Sequence, residues 1–285
     1  MKLKHKLLLL YVLCGFIILA VLGFFLSIQL KKSHLSTIES GIAKQLENLD
    51  FSLTSVIEEV KHGIQVLAAN EMVCSRNDED FTRFLDGDEE NFQYHIGETE
   101  SRIIDIFQIY RTTHPYVNSV YMGRENGSFV RSHKRHRTSF YDPRIRPWYA
   151  LAKDHPGQVM ITSPYRSVTT PDVNIGVVTA LVDTAGDGFG VIGADITLAN
   201  LTDYISGYRI GEDGQMLLVD DNGTIIACGE EALRFNSLKN LVADKADTVL
   251  TQQTGSFFID GDHNGRYFIF ITSGNLGWKI AAMVS

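Results

Sequence analysis

The sequence predicts an α+β chain in which a very long N-terminal helix is followed by two tandem antiparallel-sheet modules. Three observations predict it. An apolar run merges into a helical stripe near the N-terminus. An Asn-Gly turn between β-rich runs occurs at 126–127 and again at 222–223, a strong hairpin signal. Each hairpin is followed by further strand-like segments, so one α+β pattern is written twice.

Leu7 to Leu30 is almost unbroken apolar sequence. As a helix it spans roughly 36 Å, enough to cross a ~30 Å hydrocarbon core. Lys2, Lys4 and Lys6 precede it and Lys31 and Lys32 follow. That bias keeps residues 1–6 in the cytoplasm and sends the rest outside the cell membrane. The run exceeds a signal-peptide core, and Ser27-Ile28-Gln29 is a poor cleavage site, so a retained anchor is expected.

From Leu35 the apolar residues fall by threes and fours, through Ile38, Ile42, Leu46, Leu49, Leu53, Val56, Val60, Ile64 and Leu67. This predicts an amphipathic helix within 31–76, about 55 Å from Ser33 to Asn70. A stripe continuing out of the bilayer suggests a parallel homodimer. Asn77 to Glu90 reads as a solvated acidic loop, without EF-hand spacing. A second helix is expected over about Phe92 to Tyr110.

The first module, 77–208, contains the hairpin Val117–Met122 and Ser128–Arg131, then strands at Asn174–Leu181 and Gly190–Ile196. A linking helix runs from about Leu198 to Tyr208. The second module, 209–285, contains Gln215–Val219, Thr224–Ala227, Gly255–Ile259, Tyr267–Ile271 and Trp278–Val284.

Composition narrows the function. The chain has 285 residues, 44% hydrophobic and 21% charged, with a net charge of −8. That balance is globular and opposes nucleic-acid binding, which needs excess Lys and Arg. The basic cluster Arg131, His133, Lys134, Arg135, His136 and Arg137 reads as a solvated edge. The histidines show no H-E-x-x-H spacing, and no nucleophile elbow or P-loop occurs. No catalytic set, metal site or cofactor is expected, and the chain reads as a non-enzyme. Cys14 falls in the apolar run; Cys74 and Cys228, in different modules, are expected to stay unpaired.

Tyr141-Asp142-Pro143-Arg144-Ile145-Arg146-Pro147-Trp148-Tyr149 is the most informative stretch. Arg forks bind carboxylates bidentately, while Tyr and Trp add apolar walls with hydrogen-bonding tips. Such a mixture suits a pocket for a small anion or zwitterion. The bland alternatives are core aromatics at a helix start, an Arg146–Asp142 surface pair and Asp195 as a helix cap.

Together the anchor, the outward helix, the two modules and this run resemble the double Cache sensor domains of bacterial and archaeal chemoreceptors, histidine kinases and cyclic-dinucleotide enzymes. The resemblance covers about residues 33–285. It implies two PAS-like sheets, a membrane-distal ligand-binding module (77–208) and a membrane-proximal one. It also implies an extracytoplasmic sensor for a small carboxylate or amino acid, its output domain lying outside these residues. An anchored solute-capture or adhesion module is the alternative. Amino-acid-binding members carry Tyr-x4-Arg-x-Trp-Tyr, then Tyr-x-Asp, then a distant Asp. Tyr141, Arg146, Trp148 and Tyr149 match the first part, Tyr165 the second and Asp195 the last. The resemblance implies that Tyr141, Arg146 and Trp148 hold a carboxylate while Tyr165 and Asp195 face an amine. Tyr121 of the first hairpin is placed with them. Ser167 stands where the pattern has Asp, which removes one of two carboxylates from an ammonium and leaves other small carboxylates open.

Overall fold

A computed structural model describes residues 3–284 apart from 80, 136, 169–172, 184, 209, 211–213 and 260–264, with the side chains of 3 and 5–14 also outside the description. The side chain of Cys14 and the whole of His136 therefore lie outside the description.

The apolar run and the amphipathic stripe form one uninterrupted helix, α1 (Leu3–Ala68). Its part beyond Gly15 is long and apolar enough to cross a membrane, and none of that apolar stretch is buried. From Ile42 onward one face is covered: Leu46, Leu49, Leu53, Ile57, Val60, Ile64 and Leu67 are buried. Ile57 takes the place expected of Val56, because 53, 57, 60 and 64 keep the helical period. Each such side chain stabilises by about 1.5–3 kcal/mol. Gly63 is a packing seat: a Cβ there would meet the Tyr110 hydroxyl oxygen at 2.1 Å. The helix ends where the Asn70 side chain accepts the backbone N–H groups of Met72 and Val73, a local competitor for helix continuation.

Sheet one holds β1 (Ser119–Arg124), β2 (Phe129–Arg131), β3 (Val159–Ile161), β4 (Tyr165–Arg166), β5 (Val173–Val182) and β6 (Gly188–Thr197). Its order is β2-β1-β6-β5-β3, with β4 also on β5. Sheet two holds β7 (Gln215–Val219), β8 (Ile225–Cys228), β9 (Thr254–Ile259), β10 (Arg266–Thr272) and β11 (Lys279–Val284), ordered β8-β7-β11-β10-β9. Every named pairing is antiparallel. The buried face of α1 and the inner faces of both sheets share one core, from Leu46 and Ile57 through Val120, Ile192 and Ala194 to Leu218, Ile269 and Ile280. Both Asn-Gly turns form, with Gly127 and Gly223 at φ +82° and +80°, where glycine is favoured.

Side chains alternate across a strand. Val120 and Met122 thus face the shared core, while Tyr121 enters a separate cluster with Phe84, Phe129, Tyr141, Trp148, Val178 and Val191. Sheet one is consequently buried on both faces, which explains its near-continuous apolar runs.

Several expectations need correction. The stretch 77–90 is no simple solvated loop: Phe81 and Phe84 are buried, and Phe84 bridges to Tyr141. The second helix is α2 (Glu98–Thr113), starting later because Phe92 and Tyr94 pack on Phe84 instead. The segment after Pro147 forms α3 (Pro147–Asp154), and the linking helix α4 (Leu198–Ser206) stops short of Tyr208. Two short unforeseen helices, α5 (Leu238–Val242) and α6 (Ala246–Thr251), cover sheet two. Arg135 of the supposed solvated basic edge is only 6% exposed. Cys74 and Cys228 are free thiols.

Candidate ligand cleft

The cleft opens over the outer face of sheet one. Asp142 caps a 3-10 turn, Pro143–Ile145, by accepting the backbone N–H of Arg144 at 3.0 Å, and pairs with the Arg144 guanidinium at 2.8 Å. Arg144, not Arg146, is thus the partner of Asp142. Pro147 starts α3, for which its fixed φ is pre-organised. Arg146, in extended conformation at the N-cap, lines the cleft, and Trp148 packs beneath on Tyr121 with ring centroids 4.9 Å apart. Gly123 makes room: a Cβ there would meet Pro143 at 2.6 Å and Trp148 at 3.1 Å.

Asp195 is the buried floor, 6% exposed. Its Oδ1 accepts from the hydroxyls of Tyr121 (2.7 Å) and Tyr165, and its Oδ2 from the Asn174 amide at 3.1 Å. Burial pushes its pKa up to about 6, against the pull of the two tyrosine hydroxyls. The same burial and the nearby carboxylate hold both tyrosines well above their usual range, so they act as donors. Asp195 does not cap α4; Thr197 does, accepting the N–H of Asn200 at 3.1 Å.

The rest of the charged lining is cationic. Arg146 donates from Nη2 to the Arg166 carbonyl at 3.4 Å, while its buried Nε has no hydrogen-bond partner among the described residues. Arg135 lies between Phe84 and Tyr141, its guanidinium carbon 4.6 and 4.5 Å from their ring centroids. Its Nη1 donates to the Ser139 carbonyl, and its Nη2 is buried without a partner among the described residues. Arg131 donates to the Ser119 hydroxyl at 2.7 Å. The cleft is tight, with about 40 Å³ of free volume, well below the roughly 300–1,000 Å³ of a typical small-molecule site. Arg135, Phe129 and Arg131 also border a second cavity beside α2, lined in addition by Glu100 and Tyr94.

Of the residues expected from sequence, Tyr121, Tyr141, Arg146, Trp148, Tyr165, Ser167 and Asp195 line this cleft. Tyr149 does not. It packs behind Trp148, centroids 5.6 Å apart, near Glu125 and Arg124, because adjacent helical residues point about 100° apart. Phe129, Arg131, Arg135, Arg166, Val168 and Asn174 line it unannounced. Strand alternation offered a signal for two of them: Phe129 and Arg131 share a face of β2, and Arg131 pairs with Tyr121.

The family model described as Cache domain matches residues 26–285. The chain belongs to the Cache domain family. It is 29% identical over 178 residues to a probable methyl-accepting chemotaxis protein of Bacillus thuringiensis subsp. konkukian, covering 61% of this chain and 25% of that protein. It is 30% identical over 182 residues to the methyl-accepting chemotaxis protein McpA of Bacillus subtilis, covering 64% and 26%. The chain thus spans about a quarter of the length of these relatives. Among solved structures, the ligand-binding domain of Pseudomonas aeruginosa PctC in complex with GABA matches with TM-score 0.65, at 20% identity over 87% of this chain and 99% of that one. That of Pseudomonas fluorescens CtaA with L-serine gives 0.62, at 22% identity over 85% and 93%. At these identities the likeness is one of fold: the double Cache architecture of chemoreceptor ligand-binding domains.

Proposed function

We propose that this Cache chain is the extracytoplasmic sensing part of a membrane receptor and binds a small carboxylate or amino acid over sheet one. The observation that carries the reading is that one aromatic-walled cleft is lined both by Arg146, whose Nε has no hydrogen-bond partner among the described residues, and by a buried, triply hydrogen-bonded Asp195. A carboxylate is what a guanidinium fork recognises best, and Asp195 with its tyrosines offers the complementary pole for an amine or hydroxyl. The apolar N-terminal part of α1 anchors the chain, with sheet one in the membrane-distal module (77–208) and sheet two proximal (209–285). The chemotaxis relatives and the amino-acid-type ligands of PctC and CtaA support a receptor role. The chain acts by binding, not by catalysis, and pairs with a second copy through α1.

The test is thermal stabilisation of the full chain in detergent by amino acids and small carboxylates, since a ligand stabilises the state it binds. We expect Arg146→Ala to abolish the stabilisation while leaving the unliganded melting temperature nearly unchanged. Stabilisation by carboxylates that survives Arg146→Ala would remove Arg146 from the site.

A further inference from the structure

The unpaired atoms of the cleft specify more than one carboxylate. Among the described residues, Arg146 Nε and Arg135 Nη2 are buried donors without a partner, and Asn174 Oδ1 is a buried acceptor without one. Orphaned buried polar atoms are rare, and each costs its full desolvation unless something completes it. Both guanidiniums lie against one ring, that of Tyr141, at 4.5 and 6.0 Å from its centroid. Two like charges so placed favour an anion that meets both. Arg131 and Arg166 add two more cations to the lining, against Asp195 as the lining's acidic side chain among the described residues. Ser167 contributes no charge. An amino acid with an apolar side chain would satisfy Arg146 and leave the Arg135 donor buried and unpaired.

We propose that the cleft takes a small dicarboxylate that also carries one O–H or N–H donor, the second carboxylate meeting Arg135 and the donor meeting Asn174 and Asp195. This rests on the reading of the cleft as a carboxylate site and narrows its ligand class. Hydroxy-dicarboxylates and acidic amino acids both meet the description, since a hydroxyl or an ammonium serves the donor position.

The experiment is isothermal titration of the full chain in detergent with L-malate, L-aspartate, succinate, L-lactate and L-alanine. A hydrogen bond to a charged group corresponds to about tenfold or more in affinity. Malate or aspartate should therefore bind at least about tenfold more tightly than lactate or alanine, and more tightly than succinate. Arg135→Gln should erase the preference for the second carboxylate, so that malate and aspartate bind no more tightly than lactate and alanine. Arg135→Lys keeps the charge within the aromatic sandwich and should retain part of the preference; it serves if the glutamine variant does not fold. Equal binding of alanine and aspartate by the unaltered chain would overturn the dicarboxylate proposal and leave the carboxylate site standing. Absence of binding by all five acids would overturn both.

Discussion

The two sheets run their strands in the same spatial order, so their outer faces can be compared position by position, and they have opposite contents. In sheet one Tyr121 pairs with Gly193, and Asp195 lies between Ser119 and Gly176. At the corresponding positions of sheet two, Leu217 pairs with Ala281, and Met283 lies between Gln215 and Phe268. Where Gly176 leaves space beside the tyrosine hydroxyls, Phe268 fills it, and Phe270 stands where sheet one has Val178. Leu238, Val242 and Val249 of α5 and α6 then close the second face into a dry cluster. One framework therefore becomes an open cleft or a plug according to a few side chains: glycine and a carboxylate open it, two phenylalanines shut it.

The largest effects should separate the two faces by what is lost. Phe268→Ala and Trp148→Ala each remove a buried ring, 0% and 2% exposed, at a cost of about 3–5 kcal/mol. Chemical denaturation should show both losses, yet only Trp148→Ala should also weaken the ligand. A loss of affinity in Phe268→Ala beyond its loss of stability would erase the distinction between plug and site.

The next test uses the charge on the floor. Burial raises the pKa of Asp195 from 3.8 to about 6, so between those values the folded chain holds protons that the unfolded chain has released. Unliganded stability contributed by this group therefore falls as pH rises through that window. Asp195→Asn should flatten the slope in melting temperature. A ligand whose ammonium faces Asp195 should lose up to about tenfold in affinity per unit as pH drops below 6, whereas a hydroxy acid should not. Titration at several pH values reads both, and the comparison with Asp195→Asn separates this slope from those of Glu100 and Asp220, whose carboxyls burial also pushes up.

The smallest effect lies at the rim. Arg144 and Asp142 pair on the surface side of the turn, with 39% and 13% of their side chains exposed, and such pairs are worth ~0–1 kcal/mol. Arg144→Ala should change stability by less than that and leave ligand binding intact. A large loss of binding would mean that the turn needs the pair to hold Arg146.

Much of this comparison was legible in the sequence because its determinants are local. The Asn-Gly turns, the alternation about Tyr121 and the stretch from Tyr141 to Trp148 need only near neighbours. Asp195 and Tyr165 were found through the resemblance to double Cache domains. Arg135 was misread for a physical reason. Within a run of five basic residues it looks like solvated charge, and only Phe84, arriving from fifty residues upstream, turns it into a buried wall. Tyr149 was misread in the opposite sense, because a helix turns it away from the residue beside it. The short helices α5 and α6 lack the length that makes a period visible.

One consequence of the uninterrupted α1 is a matter of angular phase. The helix is 66 residues long, contains no proline, and extends roughly 100 Å. Its apolar N-terminal part and the face that both sheets grip belong to a single shaft, so the direction in which each sheet presses is fixed relative to every side chain below. Inserting one residue near Leu35, which is 48% exposed, would turn the lower part by about 100° and shift it by about 1.5 Å, while four inserted residues would nearly restore the phase. With no hinge to absorb such a turn, the shaft makes the outer domain and its base behave as two marks on one dial.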